Sequence, residues 1–131
     1  MSKHYSSGAD LSAKTLRGVN ILADNVASTL GPRGRTVLLQ RAGRRPFVSK
    51  DGVTVAEHVV LDDPIENAAV QILKQASSQT NALAGDGTTT SMVLARAILR
   101  EAQKHVVAGV APIQVKRALD RATETLIHNL S

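Results

Sequence analysis

The sequence predicts a mainly α, multihelical fold carrying one small β-hairpin. Three observations point there. Several stretches repeat apolar residues at spacings of three and four, the period of a helix with one face to bury. Aromatic residues make up only 2% of the 131, Tyr5 and Phe47 with no Trp, so any core is built from Leu, Ile, Val and Ala. β-Sandwiches draw heavily on aromatic and β-branched side chains. Finally, 43% hydrophobic and 21% charged residues exclude a disordered chain. The length fits one domain or part of one.

The first helix is expected from about Asp10, with Leu16, Val19, Ala23, Val26 and Leu30 on one face, and it stops at Gly31-Pro32. Thr36–Gln40 and Pro46–Ser49 are short β-type runs joined through Gly43, a hairpin pattern. Lys50-Asp51-Gly52 reads as a turn, and Val53–Ala56 either continues extended or opens a short helix. Asp62-Asp63-Pro64 starts the second long helix, because acidic residues and proline suit a first turn. Its expected stripe is Ile65, Ala69, Ile72, Ala76 and Leu83, ending before Gly85. A third runs from about Thr88 to His105 through Met92, Ala95, Leu99, Ala102 and Val106. Leu94 and Ile98 widen its apolar arc, so it is expected to be the central helix. Gly109 breaks it. The fourth starts near Pro112 and aligns Val115, Ala118, Leu119, Ala122 and Leu126.

Composition narrows the function classes. The absence of cysteine removes disulfide scaffolds, thiolate metal sites and cysteine nucleophiles. His4, His58, His105 and His128 show no metal-ligand spacing. No apolar run approaches the ~20 residues of a membrane span. The opening MSKHYSSGAD has neither a signal-peptide core nor an Arg-rich presequence, so a cytoplasmic location is expected. Sixteen Lys and Arg against eleven acidic residues give a net charge of +5, which favours anionic partners. Arg33, Arg35, Arg41, Arg44 and Arg45 crowd one stretch, readable as a solvated hairpin face or a nucleic-acid contact. The scarcity of aromatic rings speaks against single-strand nucleic-acid modules.

Three segments carry candidate chemistry. Gly85-Asp86-Gly87-Thr88-Thr89-Thr90 lies between two helices. Its glycines permit close approach by a ligand, and the threonines open a helix whose free N–H groups favour an anion. Asp86 offers a hard oxygen for Mg²⁺. Read alone, the segment fits either a phosphate-binding turn or an Asp-Gly turn with a threonine cap. Thr29-Leu30-Gly31-Pro32-Arg33-Gly34 is either a helix end facing a phosphate or an ordinary helix stop. Ser49-Lys50-Asp51-Gly52 is either a surface turn or a Lys–Asp pair able to hold a phosphate and orient a water. GxxxxGK[ST] and a strand-borne GxGxxG, the signatures of the common nucleotide folds, are both missing from the sequence.

In this order and spacing the three segments resemble the group I chaperonins, the 60 kDa ring-forming family. Leu16-Arg17-Gly18-Val19-Asn20 and Ile65-Glu66-Asn67-Ala68 fit the same family, and the resemblance runs from near Lys3 to the last residue. It implies that residues 1–131 are the N-terminal half of an equatorial, ATP-binding domain, a multihelical partial domain with a small β-hairpin. Carried over by position, Thr29, Leu30, Gly31 and Pro32 line the nucleotide and Lys50 lies beside it. Asp86 binds Mg²⁺, while Gly87, Thr88, Thr89 and Thr90 hold phosphates. Asp51 lies near the γ-phosphate and assists hydrolysis. ATP, Mg²⁺ and K⁺ are the implied cofactors.

The resemblance further implies sibling chaperonin subunits in a ring. Unfolded clients and the co-chaperonin would be engaged only through an apical domain outside these residues, which lie before it and an intermediate domain. The intermediate domain also carries the family's main catalytic Asp, so no ATPase activity is expected from residues 1–131 alone. Membrane and nucleic-acid partners are not expected. A second reading is a truncated homologue acting as an assembly module. Two departures from the family pattern stand out: the basic balance, and Ser7 where an aromatic residue is common.

Overall fold

Two helices running side by side in the same direction frame the structure. The computed structural model describes residues 3–131 and divides into two units, one ending at Ala97 and the other Ile98–Ser131. In the first unit, α1 (Gly8–Ala27) packs along α3 (Pro64–Ala84). Lys14 Nζ donates to Asp63 Oδ2 and Arg17 Nη1 to Glu66 Oε1, each at 3.0 Å and each across 49 residues of sequence. The shared offset means that both chains advance together. Gly18 makes the contact close: a Cβ there would lie 2.5 Å from the Glu66 carbonyl oxygen.

Each element follows from local chemistry. Asp63 caps α3, accepting from the N–H groups of Ile65 (2.9 Å) and Glu66 (3.0 Å), and Pro64 occupies the first turn. Gly85, at φ +73°, closes α3 in the left-handed conformation, its N–H donating to Asn81 O at 2.7 Å. β1 (Val37–Leu39) and β2 (Phe47–Ser49) pair antiparallel, with Leu38 opposite Val48. This is the expected hairpin, and Gly43 supplies a positive φ in its turn. The segment left open between strand and helix is a helix, α2 (Gly52–His58). Lys74 Nζ ties the end of α2 to α3 by donating to Val59 O at 2.8 Å. α4 spans Thr88–Val107.

The core joins Val19, Leu22 and Val26 of α1 to Val55 and Ala56 of α2, Val70 and Leu73 of α3, Leu39 of β1 and Met92 of α4. Two sequence expectations are corrected here. The buried arc of α3 is Glu66, Ala69, Val70, Leu73 and Ser77, whereas Ile72 is 68% exposed and Leu83 is 91% exposed. Counting only apolar residues turned the stripe around the helix, because two polar residues belong to it. Glu66 is buried against Arg17, and Ser77 against a backbone carbonyl. The second correction concerns the central helix, which is α1. Only Thr88 and Met92 of α4 are buried, while Leu94, Ile98 and Leu99 are exposed. Periodicity shows that a helix has a face to bury, not what buries it.

In the second unit, the end of α4 turns into α5 (Pro112–Leu130) through Gly109 at φ +103°. Val110 N–H donates to His105 O (3.0 Å) and Gly109 N–H to Val106 O (3.1 Å), the paired bonds of a Schellman stop. Pro112 then opens α5, as expected from the sequence. No residue of α5 is buried. Among the described residues no helix is long and apolar enough to cross a membrane.

The burial pattern makes a direct prediction. Leu22→Ala, at a fully buried position on α1, is expected to destabilise the fold by about 2–5 kcal/mol. Ile72→Ala, on the outward face of α3, is expected to change it by no more than about 0.5 kcal/mol. Urea denaturation of the two variants checks the contrast.

Candidate functional site

The parallel run of α1 and α3 carries both their C-terminal ends the same way. Each end leads into one of the glycine-bearing segments. After α1 the chain tightens: Thr29 N–H donates to Val26 O at 3.0 Å and Leu30 N–H to Ala27 O at 3.1 Å. Thr29 Oγ1 also donates to Val26 O, at 2.7 Å. Gly31 takes φ +76°, and the loop folds back so that Gly34 N–H reaches Gly31 O (2.9 Å) and Arg35 N–H reaches Ser28 O (2.7 Å). Gly34 passes so near the Thr29 carbonyl that any side chain there would collide with it. Leu30, Gly31 and Pro32 are exposed.

The second segment follows the hairpin. Lys50 is exposed at its start. Asp51 is the N-cap of α2: its Oδ2 accepts from Thr54 N–H at 3.1 Å and from Thr54 Oγ1 at 2.7 Å. The bond from the Thr54 hydroxyl, then that from its N–H, hold the Asp51 carboxyl below the usual carboxylate range. Asp63 is lowered too, first by the Glu66 N–H and then by Lys14.

The third segment links α3 to α4. Gly85 and Gly87 both take positive φ, +73° and +88°, with exposed Asp86 between them. Asp86 Oδ1 accepts from Gly87 N–H at 2.6 Å. The Gly87 carbonyl accepts the first helical bond of α4, from Ser91 N–H at 2.8 Å. Thr88, Thr89 and Thr90 therefore open the helix, and their N–H groups have no acceptor within it. Thr88 is buried, Thr89 half-buried and Thr90 exposed.

The three segments meet at Gly52. A Cβ on this buried glycine would collide with Thr89 Oγ1 and lie 3.1 Å from Thr29 Oγ1. Thr29, the start of α2 beside Lys50 and Asp51, and the first turn of α4 thus share one location in the first unit. Sequence reasoning took Gly52 as part of a turn and missed it as the meeting point. The available signal was its place after an acidic N-cap at a helix start, where a turn glycine is not needed. Residues 22–131 match the TCP-1/cpn60 chaperonin family. The chain belongs to that family. Membership gives this chaperonin-family segment a chaperonin-type role in protein folding. The match covers all three converging segments and leaves the first part of α1 outside it.

The donor set bears on the implied metal. Among the described residues no three His, Asp or Glu side chains form a metal-holding group. Mg²⁺ commonly binds through one or two carboxylates plus substrate phosphates, and a lone exposed carboxylate beside a helix N-terminus fits that mode.

Two predictions follow from this geometry. Gly52→Ala is expected to force Thr89 aside and lower the melting temperature, even though alanine suits a helix better than glycine; calorimetry of the variant checks it. The Asp51 and Asp63 caps set the acid limit. Their folded pKa values are lowered, so the stability they add is fully present above the ordinary carboxylate value, about 4. It is lost as pH falls through the folded values. Replacing both with Asn should flatten the decline in stability below about pH 4, as read from denaturation midpoints.

Proposed function

We propose that residues 3–131 supply the phosphate and metal side of an ATP site in a cytoplasmic, group I-type chaperonin ring, as part of an equatorial domain. The observation that carries this reading is the convergence of Thr29, Gly52 and Thr89. Three segments separated in sequence, each ambiguous alone, come together where a helix N-terminus offers unpaired N–H groups. In this reading the N–H groups and hydroxyls of Thr88, Thr89 and Thr90 bind phosphate oxygens, with Gly87 allowing the approach. Thr29, Leu30, Gly31 and Pro32 form the facing wall, and exposed Lys50 adds positive charge. Asp86 holds Mg²⁺, which supplies charge neutralisation at the phosphates when bound. K⁺ is taken from the family resemblance, with no residue assigned to it. Sibling subunits complete the ring.

Asp51 is the local acidic group for orienting a water. One of its oxygens is already engaged by Thr54, which fixes the carboxylate's direction. The resemblance places the main catalytic Asp in another domain, so this segment alone is expected to bind nucleotide without steady-state turnover.

The test is calorimetric titration of the chain with ATP, with Mg²⁺ and with EDTA. Asp86→Ala is expected to weaken Mg-ATP binding about tenfold, ~1.4 kcal/mol, and to leave metal-free ATP binding unweakened or somewhat tighter, since a like charge is removed. Equal losses in both conditions would make Asp86 a turn residue only.

A further inference from the structure

Beneath the threonine turn lies a hydroxyl pair that the phosphate reading does not use. Ser77 on α3 is 1% exposed. Its hydroxyl donates to the Thr88 carbonyl at 2.6 Å. Ser91 Oγ lies 2.7 Å from the same carbonyl and 3.1 Å from Ser77 Oγ. The Ser91 contact taken alone is the ordinary back-bond of a helical serine. The Ser77 contact is different: it comes from another helix, and alanine would fill nearly the same space without burying a hydroxyl.

The acceptor gives the pair its meaning. The Thr88 carbonyl and the Thr89 N–H belong to one peptide unit. Thr89 N–H is among the α4 donors with no helical acceptor. Donation to the carbonyl end of an amide polarises it and makes its N–H a better donor, by about 10–30% per bond in condensed-phase estimates. The same bonds fix the tilt of that peptide plane. Thr89 is held on its other side by Gly52.

We propose that Ser77 and Ser91 are positioning residues of the phosphate turn, acting through the Thr88 carbonyl to orient and strengthen the Thr89 N–H toward a phosphate oxygen. This rests on the phosphate-site reading above. Because both hydroxyls address one carbonyl, either can serve when the other is lost. Their removal is therefore strongly non-additive.

The experiment compares the full chain with Ser77→Ala, Ser91→Ala and the double variant. It measures Mg-ATP affinity, unfolding without ligand, and the Thr89 amide resonance in ¹⁵N-labelled protein. Each single variant is expected to bind about two- to threefold more weakly, and the double about twentyfold, beyond the product of the singles. The Thr89 amide proton should move upfield in the order wild type, singles, double, before any nucleotide is added. A purely structural role would lower the melting temperature without moving that resonance selectively. Wild type that binds Mg-ATP while the double variant binds equally well would overturn this proposal alone. So would additive losses with an unmoved Thr89 resonance. Wild type that does not bind Mg-ATP would overturn the phosphate reading and this proposal with it. Should the double variant fail to fold, the Thr89 resonance in Ser77→Ala decides: unmoved, the proposal falls.

Discussion

The close parallel contact of α1 with α3 is the constraint on which the rest of the first unit depends. It needs Gly18, since any side chain there would press into the Glu66 carbonyl. It also needs the Lys14–Asp63 and Arg17–Glu66 pairs in matching register. Exposed ion pairs add little stability; Arg17 is itself largely exposed, and what the pairs contribute is alignment. Glu66 differs, because its carboxylate is nearly buried and would be costly without the Arg17 guanidinium. Once the two helices advance together, their ends and the loops after them must lie at the same end of the unit. Arg96 of α4 pairs with Asp24 of α1, while Thr89, about two turns earlier, meets Gly52 beside Thr29, just past the end of α1. α4 therefore returns antiparallel, and its N-terminus is brought to the other two segments.

Much of this was legible in the sequence, and the failures have definite causes. Gly31-Pro32, Gly85, Gly109 and Pro112 marked helix limits correctly to within a few residues, because backbone conformation there is a local matter. The hairpin was legible for the same reason. The buried face of α3 was not, since whether Glu66 and Ser77 turn inward depends on partners that are distant in sequence. The order of burial among helices was not either: α4 has the wider apolar arc, yet α1 is the helix with the longer buried face, packed on α2 and α3. The three segments read one by one did not show that they converge; that expectation came only from the family resemblance, because the convergence depends on Gly18 and the ion-pair register rather than on the motifs.

The three threonines, alike in sequence, hold three different positions. Thr88 is buried and gives its carbonyl to Ser77; Thr89 packs on Gly52; Thr90 is exposed. A run of identical residues at a helix start thus divides into an anchor, a spacer and a surface group. This arrangement explains why capping alone does not account for the run. A cap requires one side chain at one position, and that position here is Gly87, which has none.

Asp86 is the remaining puzzle of the segment, and its charge resolves it. The N-terminus of α4 attracts an anion through its dipole and its N–H groups. Asp86 is already such an anion, bonded through Oδ1 to the Gly87 N–H. A phosphate drawn to the same helix end would meet a like charge close by, and in a partly desolvated site that repulsion grows as the dielectric falls. A carboxylate therefore opposes phosphate binding unless a cation lies between the two. In the proposed site, the same residue that would weaken binding of a bare nucleotide would thereby favour one that arrives with its metal. On the proposed reading, the pairing of an exposed Asp with a helix N-terminus is the feature that would separate a metal-nucleotide site from a generic anion site.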